Sequence, residues 1–445
     1  MRSIRGLRLI IKKFGPIDEV ILDLKHVNVF IGPQATGKSA IAKIYTIFKA
    51  PAKFINQGIE NLDSLTDIDF RKILSEYNIQ SFLRPETEIR FDSGLHTMTY
   101  ANGKIGYVPK LLFKIYELVE LSKSFNANKE MIITLLNEIS RNFIHFNIRS
   151  RTILDQEESR ELSYNNLTKS QLSKLISIIE SHEATLSTDT AIYIPAERTI
   201  INIIRKNIFN LQLHEVPLPK NILSFAAELE KIENEKLDLN FIVEGLKYDY
   251  IDGEDRIFTE DGYSINNLSE AASGIQSVLP ILKFITTKPR RRGHKSFVIE
   301  EPELNLFPNA QYKLIQFLES GRPESHWEDH GTIHTYTTHS PYILSALNNL
   351  LYAHKVTAKL DRKHFQMTPI KDRLRSVSYR NKSLEIVRKI IAADINPRYF
   401  TAYQIYRGKA ESIFDKRKGL IMDNYIDECS DKMADDFEKL MELDK

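Results

Sequence analysis

The chain carries 445 residues, with 61 Lys and Arg against 59 Asp and Glu for a formal net charge of +2, and it is 42% hydrophobic and 27% charged. That balance excludes an extended disordered chain, and it excludes bulk positive charge as a route to nucleic acid, so a polynucleotide contact would need a local patch. A chain of this length buries a sizeable core spread over two or three compact units.

The single cysteine, Cys429, can neither close an internal disulfide nor seed a zinc cluster, which points to a reducing compartment. No apolar run approaches the ~20 residues of a membrane span, and Met1-Arg2-Ser3-Ile4-Arg5 leads into no signal-peptide core. The expectation is a cytoplasmic protein that stays off the membrane.

In chain order, Leu7 to Lys13 and Val20 to Leu24 read as short strands about the turn Phe14-Gly15-Pro16-Ile17-Asp18. Val27-Asn28-Val29-Phe30-Ile31 reads as a third, buried strand. It feeds Gly32-Pro33-Gln34-Ala35-Thr36-Gly37-Lys38-Ser39, and a helix opens at Ala40 and fades near Ala50-Pro51. Strand, glycine loop and helix in that order converge backbone N–H groups on a phosphate, and the helix dipole favours the anion. Residues Gly32 to Ala40 are therefore the expected nucleotide-binding stretch. Lys38 would reach the β- and γ-phosphates of a triphosphate, and Ser39 Oγ would hold Mg²⁺.

After a mixed stretch with a helical candidate at Asp69 to Tyr77, Thr87 to Asp92, Leu95 to Tyr100 and Lys104 to Val108 alternate about Ser93-Gly94 and Asn102-Gly103 turns, as an antiparallel meander does. From Pro109 to about His182 the spacing becomes helical, as in Leu111, Ile115, Leu118 and Val119. Within it Arg141, His145, Arg149 and Arg151 precede the acidic run Asp155 to Glu161. These read as solvated faces of neighbouring helices, with a phosphate-backbone contact as the alternative. Ala191 to Ile194 is a buried-type strand that ends at Pro195 and delivers Glu197 and Arg198, at the kind of strand end where α/β sites gather. Asn202 to about Leu239 is helical again, broken at Pro217-Leu218-Pro219, and strands follow at Leu246 to Ile251 and Arg256 to Thr259.

Ser273-Gly274, before the apolar helix Val278 to Thr287, presents free N–H groups and a small hydroxyl suited to a second phosphate contact; a plain helix cap at Ser269 or Ser273 explains the same residues. Phe297-Val298-Ile299 ends in Glu300-Glu301-Pro302-Glu303. One carboxylate there would hold Mg²⁺, and the next would polarise a water for attack on the γ-phosphate. Thr332 to Thr337 is a further strand ending in Thr338-His339-Ser340-Pro341, and His339 is placed to bond the γ-phosphate or the attacking water.

Together these pieces resemble the ABC-type ATPases of the RecF, SMC and OLD (overcoming lysogenization defect) class, over about Ile4 to Ala353. Gly32 to Ser39 looks like a Walker A motif, Ser273-Gly274-Ile275-Gln276 like the ABC signature, Phe297 to Glu301 like Walker B, and His339 like the switch histidine. The run Glu300 to Pro308 resembles the OLD-type glutamate-proline-glutamate signature. Glu300 stands where an aspartate is usual, and Asn305 and Phe307 where many members carry histidines. The strand before Arg198 lies where the family's glutamine loop falls but has no glutamine, leaving Glu197 or Arg198 to replace it.

The resemblance implies an α/β fold: an ABC-type P-loop ATPase head, a mixed sheet with an antiparallel β subdomain, carrying helical insertions and a helical C-terminal region. The expected partition is residues 1–108 as the N-terminal core, 109–188 as a helical insertion, 189–200 as a core strand, 201–245 as a second insertion, 246–355 as the C-terminal core and 356–445 as a helical region. It further implies an ATP sandwich, with Ser273, Gly274 and Gln276 of one subunit closing on the Mg²⁺-ATP held by another, and Lys38, Glu301 and His339 as the catalytic set. The last 90 or so residues are too few for a Toprim nuclease, and Asp415, Asp423, Asp427, Asp431, Asp435 and Asp436 read as a solvated face.

An ATPase without its own blade resembles the stand-alone ATPase subunits of anti-phage systems such as Septu and PARIS. The implied partners are further copies of the chain, a separately encoded effector such as a Toprim or HNH nuclease or a toxin, and an invader-derived protein or nucleic acid as trigger. The alternative is a RecF-like repair or chromosome-maintenance ATPase that clamps duplex DNA, for which the basic run Lys288 to Lys295 is either a contact or a surface loop.

Overall fold

The computed structural model describes residues 7–50, 66–93, 96–108, 117–142, 164, 167–181, 190–216, 218–232, 236–251, 254–262, 264–265, 268–287, 295–320, 332–367 and 383–443. The segment 143–151, the acidic run 155–161 and the basic residues 288–294 lie outside them.

Three strands form as the sequence suggests: β1 (Leu7–Phe14), β2 (Ile17–Leu24) and β3 (Val27–Ile31). Strand β2 alternates buried and exposed residues, whereas all five residues of β3 are buried, the difference between a sheet with one wet face and a strand covered on both sides. Helix α1 (Lys38–Lys49) follows the glycine loop, and α2 (Asp67–Glu76) opens on a reciprocal Thr66–Asp69 capping box. The meander is β4 (Leu83–Asp92), β5 (Thr97–Ala101) and β6 (Lys104–Val108), all antiparallel, with Asn102 and Gly103 both at positive φ in the tight turn.

Helices α3 (Lys129–Asn142) and α4 (Lys169–Ser181) belong to the first helical region, where Leu118, Ile132, Leu136, Ile139, Leu172 and Leu175 form a separate apolar cluster. Strand β7 (Thr190–Ile194) leads through a short 3₁₀ turn into α5 (Ile201–Leu213), followed by α6 (Lys220–Glu230). A small antiparallel sheet comprises β8 (Lys236–Asp238), β9 (Leu246–Ile251), β10 (Glu254–Thr259) and β11 (Ser264–Ile265). Then come α7 (Ser273–Thr287), β12 (Lys295–Glu300), α8 (Pro308–Ser320), β13 (Ile333–Thr337) and α9 (Pro341–Met367).

The C-terminal region is mostly helical, ending in α10 (Tyr425–Leu443), but it also contributes strands that the sequence reading does not mark: a two-residue pair, Phe414–Asp415 with Leu420–Ile421, and the hairpin β14 (Phe400–Tyr406) and β15 (Lys409–Ser412). The hairpin strands enter the middle of an 11-stranded sheet, in the order β6-β5-β4-β1-β2-β15-β14-β3-β13-β12-β7. Strand β14 pairs with β3 in parallel from Phe400 opposite Val27 to Gln404 opposite Ile31. At the hairpin tip, the Gly408 carbonyl accepts from the N–H groups of Asp18 and Glu19 at 2.9 and 3.0 Å. Asp423, Asp427, Asp431, Asp435 and Asp436 are exposed, as the sequence suggests, while Asp415 turns back to accept the N–H groups of Arg417 and Lys418.

The sheet separates two cores. The pleat sends Val27, Val29 and Ile31 toward the apolar residues of α5 to α9, and Phe30 toward α1, α2 and the β1–β2 hairpin. Each such fully buried side chain contributes about 1.5–3 kcal/mol, so the loop after β3 is anchored from both faces.

Strands β14 and β15 fill the space between β2 and β3, so a chain ended after Asn396 would leave both of those strands unpaired on one side. The expected outcome is loss of the cooperative thermal transition followed by circular dichroism. A truncated chain melting within about 5 °C of the full one would show that the sheet closes without them.

Candidate functional site

Strands β14, β3, β13, β12 and β7 are mutually parallel, and their register brings the residues that follow Ile31, Thr337, Glu300 and Ile194 to one edge of the sheet. The first is the glycine loop. Gly32 sits at φ 143°, and a Cβ there would overlap the carbonyl oxygen of Ile405 in β14, so only glycine fits. Lys38 folds its Nζ back over the loop and donates to the carbonyls of Gly32 at 2.9 Å and Pro33 at 2.7 Å; Thr36 Oγ1 also donates to Pro33 O, at 2.9 Å. Burial lowers the Lys38 pKa to about 8 against the opposing pull of Glu301, Glu300 and Glu303.

Glu300, the last residue of β12, is 3% exposed. Its Oε2 accepts from the Tyr193 hydroxyl at 2.5 Å, while Oε1 has no hydrogen-bond partner among the described residues. Burial raises its pKa, and Tyr193, Lys43 and Ser39 pull the other way. A buried carboxylate with a bare oxygen near a serine hydroxyl is a donor set that fits Mg²⁺, which takes one or two protein oxygens and completes its shell with water and phosphate.

Glu301 adopts φ 42°, uncommon for a non-glycine residue, and its N–H donates to Thr337 O at 2.9 Å. Its carboxylate lies 3.7 Å from His339 Nε2. Burial, and then Lys38, lowers the His339 pKa, so at neutral pH the imidazole is uncharged and the contact is a dipolar one. Glu303, to which sequence reasoning assigns no role, fixes this histidine: its Oε1 accepts from Thr338 Oγ1 and from the His339 N–H, each at 2.8 Å. Burial raises the Glu303 pKa, and its Oε2 is unpartnered among the described residues. The signal for it was the glutamate-proline-glutamate run itself, whose turn carries the second acid back to β13.

The second phosphate-contact candidate stands apart from the loop. Ser273 is exposed at the first turn of α7, and a Cβ at Gly274 would come within 2.8 Å of the Asn305 carbonyl, so the helix start packs directly on the chain that follows β12. The Ala272 carbonyl accepts the N–H groups of Ile275 and Gln276, which makes Ala272 the cap residue and excludes both Ser269 and Ser273 from that position. The Gln276 side chain turns inward: Nε2 donates to Ala271 O at 2.8 Å and Ser269 O at 3.2 Å, and Oε1 accepts from Asn202 Nδ2 at 3.3 Å. Among the described residues no hydrogen bond joins Ser273, Gly274 or Gln276 to Gly32–Ser39.

Arg198 does not take the place of the missing glutamine. It is fully buried, and its five N–H groups are all spent: on Ser277 O and Oγ, Pro195 O, Glu300 O and Glu301 O, at 2.7–3.1 Å. Burial lowers its pKa to about 10, still fully charged near neutrality. Glu197 is exposed. Phe307 is 85% exposed.

A strand-loop-helix phosphate cradle facing an acid pair on the next strand but one defines a P-loop ATPase. A family model described as an AAA ATPase domain matches residues 7–344, from the start of β1 into the first turn of α9, and the chain belongs to that family. No curated protein matches it. Among solved structures it is similar to the Smc head domain of Pyrococcus furiosus, with an extended coiled coil and bound to the C-terminal domain of ScpA, at 10% identity, covering 91% of this chain and 95% of that one with a TM-score of 0.34. It is also similar to the SMC head domain of Thermotoga maritima, at 11% identity, covering 92% and 98% with a TM-score of 0.35.

The depressed pKa of Lys38 has a defined sign in binding. The charged ammonium is the form that would hold phosphate, so affinity for a nucleoside triphosphate is expected to be full below about pH 8 and to fall by up to about tenfold per unit above it. Calorimetric titrations from pH 7 to 9.5 check this, and Lys38→Ala should lower affinity and abolish the slope.

Proposed function

We propose that the chain is a magnesium-dependent ATPase whose subunits pair around ATP, and that it acts as the sensor or regulator of a separately encoded effector, a nuclease or toxin, in anti-phage defence. The observation that carries the ATPase reading is the convergence of Lys38, Ser39, Glu300, Glu301 and His339 at the ends of β3, β12 and β13, with one buried Glu300 oxygen left bare.

In this reading Gly32 to Ala40 cradle the triphosphate and Lys38 exchanges its loop carbonyls for the β- and γ-phosphate oxygens. Mg²⁺, held by Ser39 and Glu300, would neutralise charge on those oxygens as it spreads in the transition state. The Glu301 carboxylate accepts a proton from the attacking water as its oxygen bonds to the γ-phosphorus and the bond to the β-phosphate oxygen breaks, releasing ADP and phosphate. Neutral His339, held through its backbone by Glu303, orients that water or the γ-phosphate. One phosphate loop leaves the far side of the γ-phosphate open, which supports a second subunit supplying Ser273 and Gly274; Gln276 then acts by holding the turn that precedes them. The regulatory role is supported by the OLD-type run Glu300 to Pro308.

Glu301→Gln is expected to lower turnover by about 10²–10⁴-fold while retaining ATP, and to elute with ATP as a larger assembly than without it. Expression of the locus should reduce phage plating, and the chain should recover an effector encoded by a neighbouring gene. Normal plating with no effector recovered would refute the defence role. A salt-dependent shift of duplex DNA, lost when Arg290, Arg291 and Arg292 become Ala, would favour repair instead.

A further inference from the structure

The buried guanidinium of Arg198 ties together three segments that the ATPase reading uses separately. It holds the carbonyls of Glu300 and Glu301 at 2.8 Å each, the end of β7 through Pro195, and the second turn of α7 through both Ser277 oxygens. Among the described residues no carboxylate lies within ion-pair distance of it; five uncharged acceptors, together with the field of the Glu303, Glu301, Glu300 and Glu197 carboxylates, offset the cost of removing this cation from water. A methionine of similar length would avoid that cost, so a buried charge here calls for a role beyond filling space.

The connection is stiff at both ends. Ser277 Oγ donates to Leu304 O at 2.8 Å, and Gly274 has no room for a Cβ against Asn305 O. On the other side, Glu301 is held at positive φ, a strained conformation for a side chain of its size, between its N–H bond to Thr337 and its carbonyl bond to Arg198. Moving α7 therefore moves the 300–301 peptide, and the direction of the Glu301 side chain with it.

We propose that Arg198 is a positioning residue that couples the placement of α7, and thus of Ser273 and Gly274, to the aim of the Glu301 carboxylate, so that hydrolysis waits on closure of the paired subunit. This rests on the ATPase reading above. It assigns to Arg198 no contact with nucleotide, since all its donors are engaged.

The test compares steady-state turnover and nucleotide affinity of the full chain with Arg198→Lys, Arg198→Met and Ser277→Ala, using Glu301→Gln as the blank and a fluorescent ATP analogue as the binding probe. Either Arg198 variant should lower kcat about 10- to 100-fold, with KM and analogue affinity within about twofold of wild type, because only alignment is lost. Lysine should not rescue, since one ammonium cannot span both peptides and the helix. Ser277→Ala leaves the Glu300, Glu301 and Ser277 carbonyl contacts in place and removes only those of the hydroxyl, so it should lower kcat by less than either Arg198 variant. Unchanged kcat in Arg198→Lys overturns the inference, as does a loss of kcat matched by an equal loss of affinity. If Arg198→Met does not fold, Arg198→Lys, which keeps a buried cation, decides on its own by the same two outcomes. A wild-type rate equal to the blank overturns the ATPase reading and this inference together; a rate well above it with silent Arg198 variants overturns the inference alone.

Discussion

Five parallel strands end along one rim, and the chemistry of the molecule is decided by that alignment. Strands β14, β3, β13, β12 and β7 share a hydrogen-bonded register in which Ile31, Thr337, Glu300 and Ile194 stand at or near the last pairs. The glycine loop, His339, Glu301 and Arg198 are each within a few residues of it. A slip of one residue in β12 would exchange the faces of Ile299 and Glu300, burying the acid among the aliphatic residues of α7 and α8. The two apolar cores that grip alternate residues of β3 thus specify the site as much as they stabilise the sheet.

Charge is concentrated where water is scarce. Lys38, Arg198 and Glu300 are buried and Glu303 is partly so, and in each the largest influence on the pKa is loss of solvent, which lowers the two cations and raises the two acids. Each is held by neutral partners: loop carbonyls for Lys38, peptide oxygens for Arg198, a tyrosine hydroxyl for Glu300, a threonine hydroxyl and a backbone N–H for Glu303. Such groups are oriented in advance and poorly screened, so they act strongly on any charged ligand that reaches them. The full set of donors on Arg198 and the bare oxygen on Glu300 divide these groups into one that holds backbone and one open to a further ligand.

The strand, loop and helix from Val27 to Lys49 were legible because their determinants are contiguous: a buried run, glycines where side chains do not fit, and a helix start. Strand ends at Glu300 and Thr337 were legible for the same reason. Partnership across the chain was not. Phe400 to Tyr406 is a seven-residue run rich in aromatic and β-branched residues before an Arg407-Gly408 turn, so a hairpin was readable, yet nothing local says that it inserts between β2 and β3. Gln276 and Arg198 were identified by position, but their direction depends on Ala271, Ser277 and the Glu300 peptide, which only the packed fold brings near. Glu303 stands inside a recognisable signature, yet its work is not legible there, because its partners Thr338 and His339 lie 35 and 36 residues onward.

The insertion of β14 beside β3 has a consequence for how the protein is made. Phe400 follows Val27 by 373 residues, yet the two are direct partners in the sheet. At roughly 5–20 residues per second, a ribosome needs about 20–75 s to release the second after the first. Its other neighbour, β13, also comes late, His334 following Val27 by 307 residues, so the nascent strand that carries the phosphate loop first has both edges open and then one, with an aromatic flank, Phe30, awaiting cover. The β3 strand therefore cannot reach its final pairing as it emerges, and insertion of the C-terminal hairpin is a late step on the way to a complete nucleotide cradle.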